Sequence, residues 1–85
     1  MKVLEERGKR YGIFADQAKI SSDLKMVMRF TDGWSNLSHS KREALEMIAH
    51  KIARILNGDS NYDDNWIDIA GYATLIEKEI NGKKI

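Results

Sequence analysis

Apolar residues recur at helical spacing in three long stretches of the chain, and turn residues separate these stretches. The first spans about residues 14–30, where Ile20, Leu24 and Val27 repeat every three or four positions. Such a repeat is typical of one face of an amphipathic helix. The turn sequence Thr-Asp-Gly at 31–33 predicts the end of this helix.

The second stretch has the most regular stripe, and two serines compete for its start. Ser38 is one candidate cap, and Ser40 with Glu43 three residues later has the spacing of a capping box. The Asn-Gly pair at 57–58 predicts the end of the helix. The stripe predicted to face the core consists of Leu45, Ile48, Ala49, Ile52, Ile55 and Leu56.

A third helix is predicted to begin near Asp63 or Asp64, since a carboxylate suits both capping and the positive end of a helix. It ends at the Asn-Gly pair at 81–82. Residues 1–13 form either a short helix or an arm. The side chains expected to pack inward from the third helix are Trp66, Ile69, Ala70, Ala73, Ile76 and Ile80.

These elements predict an all-α fold, a small three- to four-helix bundle that spans residues 1–85 as one domain. The chain contains no proline and no strand-like pattern. It also contains no cysteine, so neither disulfides nor thiolate metal sites can stabilise it. A chain of 85 residues buries only about two thirds of its surface. We therefore expect a second copy to complete the bundle by dimerisation.

The charge balance argues against several classes of partner. A formal net charge of +1, with 32% charged residues, gives little attraction for nucleic acid. A helix-turn-helix DNA binder is therefore a weaker hypothesis than the two functions given at the end of this subsection. Acidic residues near the start replace the apolar run of a secretory signal, and no stretch reaches the roughly 20 apolar residues of a membrane span. We expect a cytoplasmic protein with no membrane partner.

Two acidic residues on the third helix are the first candidates for chemistry. Asp64 and Asp68 are four residues apart, so both project from one side of the helix, where they repel each other unless a cation lies nearby. That cation is either a divalent metal or a basic side chain. Ion pairs with Lys51 and Arg54 of the second helix are the structural alternative to a metal site.

A metal site becomes chemically adequate if Glu46 joins Asp64 and Asp68, because Mg²⁺ or Mn²⁺ prefers several oxygen ligands. The basic residues nearby are then suited to holding phosphates, arginine by forked hydrogen bonds and lysine as a point charge. The candidates for substrate binding are Lys51, Arg54 and Arg10, with Tyr72 as an aromatic surface for a nucleobase.

Gly71 is a further feature of the third helix, because a glycine inside a helix costs about 1 kcal/mol relative to alanine. Its position suggests that another helix or a ligand approaches the backbone closely. The two histidines lack a third nitrogen or sulfur ligand at a recognised spacing, so a zinc site is not expected.

Four short segments together resemble a family of short helical proteins encoded by phages and prophages. These segments are 10–12 (Arg-Tyr-Gly), 44–48, 51–55 and 64–73, and the resemblance covers about residues 7–77. That family in turn is similar to the MazG-like all-α pyrophosphohydrolases. The resemblance implies a magnesium-dependent enzyme that cuts nucleoside triphosphates to monophosphate and pyrophosphate, acting as a dimer or tetramer.

The acidic pattern departs from that of the MazG-like enzymes, which carry Glu-Glu-x-x-Glu on one helix and Glu-x-x-Asp on the next. Glu46 and Asp68 match two of the acids and are the catalytic candidates that the resemblance implies. Leu45 and Ala49 occupy the companion positions on the first of these helices, and Asn65 replaces the second glutamate.

Two functional hypotheses follow. The first is a MazG-like nucleotide-handling protein of the phage type, a metal-dependent (d)NTP pyrophosphohydrolase in the bacterial host cytoplasm. The second is a non-enzymatic phage module that binds and inhibits a host or defence protein, in which Asp64 and Asp68 belong to a salt-bridged frame. The missing acids favour the second hypothesis, and the environment of these two carboxylates discriminates between them.

Overall fold

Four packed α-helices make up most of the chain in the computed structural model, which describes residues 2–85. They are α1 (Lys2–Tyr11), α2 (Phe14–Arg29), α3 (His39–Asn57) and α4 (Asp64–Ile80), and a short 3-10 helix (Asp32–Asn36) lies between α2 and α3. No strand occurs within residues 2–85, so the predicted all-α fold is confirmed. Residues 1–13 were predicted as either a short helix or an arm; the structure has helix α1 over Lys2–Tyr11, and Met1 lies outside the described residues.

The start of α3 is decided by Ser38. Its hydroxyl accepts a hydrogen bond from the backbone N–H of Lys41 at 3.2 Å, which satisfies one of the free donors at the helix start. Ser40 lies within the helix and is not its cap. Asp63 directly precedes α4, but its side chain makes no capping hydrogen bond.

Helix α3 is the centre of the fold, since it packs against both α2 and α4, while α1 lies against α2 and α3. The buried apolar residues of the described chain are all alanines, Ala44, Ala49 and Ala53, and all of them belong to α3. Small side chains let the neighbouring helices approach closely, but each buries little apolar area. The protomer therefore has a thin apolar core.

The predicted inward stripes are only partly correct. Helices α2 and α4 turn small or polar side chains toward the interior, namely Gln17, Ser21 and Asn65. The large apolar residues that were predicted to face the core lie instead at the surface or halfway to it. Those that are exposed are Val27, Leu45, Ile52, Leu56, Trp66 and Ile80, together with Ala70 and Ala73.

The shape of the protomer agrees with this arrangement. Its radius of gyration is 14.4 Å, against about 12 Å for a compact domain of this length. Its accessible surface is 6180 Å², about 1,000 Å² more than a folded monomer of 9.8 kDa exposes. Among residues 2–85, no helix combines the length and apolarity needed to cross a bilayer.

Candidate functional site

The end of α1 is fastened to the end of α3 by close backbone contacts. The side-chain amide of Asn57 donates hydrogen bonds to the carbonyls of Tyr11 at 2.8 Å and Ile13 at 3.0 Å. Gly12 has a φ of 77° and passes directly against Asn57, so a side chain at residue 12 would be strained and would also collide. The Tyr-Gly pair and the Asn-Gly pair thus form one junction.

Gly58 completes this junction from the other side. A Cβ atom at Gly58 would overlap the carbonyl group of Arg10 and the Cα of Tyr11. Next to it, the backbone N–H of Asp59 donates to the Arg10 carbonyl at 2.7 Å. The junction therefore fixes Arg10 and Tyr11 beside the loop that connects α3 to α4.

Three arginines and two tyrosines meet at this junction, and we call them the Arg/Tyr cluster. The tyrosine rings, Tyr11 and Tyr62, lie edge to face with their centroids 6.3 Å apart. Arg54 lies over the Tyr11 ring at 4.2 Å and Arg7 over the same ring at 5.3 Å, while Arg10 lies over Tyr62 at 4.6 Å. Cation–π contacts of this kind occupy the face of a guanidinium and leave its N–H edge available.

The cluster has an excess of positive charge. None of Arg7, Arg10 and Arg54 forms an ion pair with a carboxylate of residues 2–85. Asp64, two residues after Tyr62, accepts a hydrogen bond from the Tyr62 hydroxyl at 2.7 Å. That bond is the main reason that the pKa of Tyr62 is raised, so the tyrosine remains protonated and continues to donate.

Two buried donors near the cluster have no hydrogen-bond partner within the described chain, Nε of Arg54 and Nδ2 of Asn65. Such atoms are rare, because an unpaired buried polar group costs about 1–3 kcal/mol. Helices α3 and α4 are consecutive, and each residue lies close to the loop that joins them. Both donors are therefore at the same end of this helix pair as the Arg/Tyr cluster.

An ion pair crosses from α3 to α4 one helical turn farther from that loop. Nζ of Lys51 lies 2.9 Å from Oδ2 of Asp68, and only 12% of the lysine side chain is exposed, against 46% for the aspartate. The ion-pair alternative for Asp68 is thus observed with Lys51. Arg54 contacts Tyr11 instead of a carboxylate, and Asp64 contacts Tyr62.

The three predicted metal ligands do not meet within residues 2–85. Glu46 binds Arg29 of α2, with Oε2 2.6 Å from the terminal nitrogen and 2.8 Å from Nε of the arginine, whereas Asp68 is paired with Lys51. Within residues 2–85, no group of three or more histidine, cysteine or acidic side chains is placed to hold a metal ion. The carboxylates of a single chain therefore do not fit a magnesium or manganese ion in this arrangement.

The remaining predicted site residues divide between two regions. Arg10 and Arg54 join the cluster, and Lys51 lies one turn from Arg54 along α3. Tyr72 lies one turn beyond Asp68, away from the loop, and lines a shallow groove of about 490 Å³ with Gly71 and other α4 residues. Tyr72 is therefore separated along α4 from the arginines that were expected to share its ligand.

Sequence reasoning missed two important residues, Tyr62 and Asn57. Tyr62 stands in a loop, where helical spacing gives no signal, although it directly precedes the two aspartates at the start of α4. Asn57 was interpreted as part of a helix stop, and its bonds to residues 44 and 46 positions away along the chain have no local pattern. A polar residue paired with glycine at a helix end was the available signal for Asn57.

Comparison with known proteins identifies the family of this chain. No curated protein and no solved structure matches the chain. One family model, described as a domain of unknown function, DUF6378, matches residues 2–80 and so includes all four helices and the Arg/Tyr cluster. The protein therefore belongs to the DUF6378 family.

Proposed function

We propose that this protein handles nucleotides and that the Arg/Tyr cluster binds the phosphates of a nucleoside triphosphate. The observation that carries the proposal is the meeting of three guanidinium groups, those of Arg7, Arg10 and Arg54, none of which has a carboxylate partner within residues 2–85. A phosphate supplies several acceptor oxygens and a negative charge together. It would offset the repulsion among the arginines and accept hydrogen bonds from their accessible N–H groups.

The cluster is suited to this ligand in two physical respects. Each guanidinium carbon lies 4.2–5.3 Å from the centre of a tyrosine ring, so the arginines are held near one another before the ligand arrives and less side-chain entropy is lost on binding. The junction at Asn57 and Gly58 holds Arg10 in place through its backbone. A site of this kind favours phosphate over anions that accept fewer hydrogen bonds.

The reaction that we propose is the one that the MazG-like resemblance implies, pyrophosphate release from a (d)NTP with Mg²⁺ or Mn²⁺ in the cytoplasm. Glu46 and Asp68 remain the catalytic candidates, with Asp64 as the third candidate for the metal. Their present pairs with Arg29, Lys51 and Tyr62 oppose this part of the proposal. Phosphate binding at the Arg/Tyr cluster does not depend on it.

We further propose that the working form is a homodimer. The extra surface of about 1,000 Å² is slightly larger than the roughly 800 Å² that each partner buries in a standard interface. An apolar groove of about 430 Å³ between α3 and α4 is lined by Leu45, Ile48, Ile76 and Ile80, among others, and offers one such surface. The close approach of another helix expected at Gly71 is not observed within residues 2–85, because nothing lies within 4 Å of a Cβ built there.

The dimer is tested by multi-angle light scattering on the purified chain. We expect twice the mass of 9.8 kDa for the wild type and a monomer for Leu45→Glu, which charges the groove. Val27→Glu on α2 makes the same change at an exposed residue outside the groove and is expected to remain dimeric. A monomeric wild type at all concentrations would contradict the proposal.

The second candidate function is the interaction module that binds a host or defence protein. The Lys51–Asp68 pair favours it, because it is the frame contact that this hypothesis requires. The exposed apolar side chains of α3 and α4 are equally suited to such a partner. A dimer that covers those side chains would leave this candidate without its surface.

Pyrophosphate release from a panel of ribo- and deoxynucleoside triphosphates tests the enzymatic proposal. Wild type is compared with Asp68→Asn and with Asp23→Asn, a control that breaks a surface ion pair with Lys19. We expect release with Mg²⁺ or Mn²⁺ from wild type and the control, and none from folded Asp68→Asn. No release from any nucleotide by folded wild type would reject the enzyme and leave nucleotide binding or the interaction module.

A further inference from the structure

A second polar region lies between α2 and α3, outside the Arg/Tyr cluster. It is a groove of about 290 Å³, which we call the α2–α3 groove, and its lining includes Gln17, Ser21, Lys25 and Arg29 of α2 with His50 of α3. None of the residues that line it is acidic. The predicted functions assign no role to this groove.

The floor of the groove is polar and lacks partners. Gln17 is 2% exposed and Ser21 is 6% exposed, so both are more than nine-tenths buried. Neither side chain makes a hydrogen bond to another residue of the described chain, although both line the groove. The fully buried donors without a partner among residues 2–85 are those of Arg54 and Asn65, so the polar atoms of Gln17 and Ser21 reach the groove, where water or a ligand can bond them.

The walls of the groove favour an anion over water alone. Lys25 forms no ion pair with any carboxylate between residues 2 and 85, whereas Arg29 is partly neutralised by Glu46. His50 adds a ring nitrogen that can donate. A lysine ammonium, an imidazole and a glutamine amide all donate hydrogen bonds, and together they offer more donors than acceptors.

The charges around His50 also favour an anion in the groove. Burial is the main reason that its pKa is lowered, and the remaining causes are all cations. These cations come from three helices: Arg54 and Lys51 of α3, Lys25 of α2 and Arg7 of α1. Three acids of the surrounding helices are paired with other cations, Asp23 with Lys19, Glu46 with Arg29 and Asp68 with Lys51. The charges that act on His50 are therefore all positive.

We propose that the α2–α3 groove is a second anion site, which binds a phosphate group through Lys25, His50 and the buried Gln17 and Ser21. A tetrahedral phosphate has enough acceptor oxygens to reach donors on the floor and on both walls at once. Phe14, whose side chain is largely exposed, lines the same groove and offers an apolar surface to the organic part of a phosphate ester.

Titration of the ¹⁵N-labelled protein with inorganic phosphate tests this site. We expect chemical-shift changes at the Gln17 side-chain amide, at Ser21 and at His50, saturating at millimolar phosphate. Lys25→Gln should weaken binding about tenfold or more, since hydrogen bonds to charged groups contribute that much. Lys19→Gln removes the same charge from an exposed residue of α2 that is paired with Asp23 and should leave the affinity unchanged.

Two results would overturn the proposal: no shift at the groove residues, or equal affinity in the two lysine variants. Shifts confined to Tyr11, Arg54 and Tyr62 would also overturn it, while leaving the proposed function intact. A nucleoside monophosphate then distinguishes the source of the phosphate. Tighter binding than inorganic phosphate that is lost in Phe14→Ala identifies a phosphate ester, and equal affinity identifies free phosphate.

Discussion

Replacement of Gly58 by alanine tests whether the junction between α1 and α3 holds the fold together. Gly58 has a negative φ of −139°, so glycine is not required here by a left-handed φ. The requirement is steric, because a Cβ would overlap the Arg10 carbonyl and the Cα of Tyr11. Both neighbours are backbone atoms, which cannot move aside by changing a rotamer.

The cost follows from what must separate. The clash costs about 1–3 kcal/mol if it is relieved by a local backbone shift. The shift would also break the hydrogen bond from Asp59 to Arg10, worth roughly 0.5–1.5 kcal/mol. We therefore expect Gly58→Ala to lower the free energy of unfolding by about 2–4 kcal/mol, which corresponds to a fall in Tm of roughly 8–32 °C for a domain of this size.

Thermal unfolding followed by circular dichroism measures this change. Gly8→Ala is the matched control, because Gly8 lies within α1 with nothing within 4 Å of a Cβ built there. That substitution should stabilise the protein by up to about 1 kcal/mol through helix propensity. If Gly58→Ala melts at the wild-type temperature or above it, the close contact of Gly58 with Arg10 and Tyr11 is not present in solution.

Three further predictions concern single side chains. Ser38→Ala should lower the unfolding free energy by about 1 kcal/mol in urea titrations, and Ser40→Ala by less than about 0.5 kcal/mol, because only Ser38 caps α3. The pKa of His50 is lower in the folded chain than in the unfolded chain, so protonation of His50 favours unfolding. Its contribution to the free energy of unfolding is complete above about pH 6.5 and is lost as the pH falls through the pKa of the folded state. His50→Gln should remove this part of the pH dependence, measured by the same urea titrations. Asp68→Asn should lower the free energy of unfolding by about 1 kcal/mol. The loss leaves the mostly buried charge of Lys51 unpaired, but it is limited because Asp68 is half exposed. A variant that melts at or above the wild-type temperature would contradict this value.

The sequence predicted the helices well because their signals are local. The apolar repeats, the serine cap and the Asn-Gly stops placed α2, α3 and α4 within a few residues of their observed bounds. Ser38 and Ser40 remained alternatives, because a cap depends on one hydrogen bond that spacing alone does not reveal. The choice required the geometry of the helix start.

The faces of the helices were predicted less well, and the reason is physical. Periodicity identifies the apolar side of a helix, but it does not say whether that side is covered by the same chain. In α4, Asp68 faces α3, where it pairs with the nearly buried Lys51, and Asn65 is buried. Trp66 and Ala70 are exposed. A second copy that covers the exposed side would reconcile the pattern with the fold.

The candidate site was partly predictable for the same reason. Arg10, Lys51 and Arg54 were identified as phosphate-binding candidates from their residue types, and Arg10 and Arg54 come together in the Arg/Tyr cluster. Their common neighbour Tyr62 depends on a loop that returns to the end of α1, and such a contact has no signature in spacing. The separation of Glu46 from Asp68 likewise follows from the position of Arg29 on another helix.

Calorimetric titration with a non-hydrolysable nucleoside triphosphate analogue tests the central claim, that the Arg/Tyr cluster holds nucleotide phosphates. Arg10→Gln removes an exposed cation that lies over Tyr62, and Lys9→Gln removes the neighbouring charge of α1 outside the cluster. We predict binding by wild type and Lys9→Gln, and an affinity about tenfold lower for Arg10→Gln. Equal affinities in the two variants, or no binding by folded wild type, would contradict the claim.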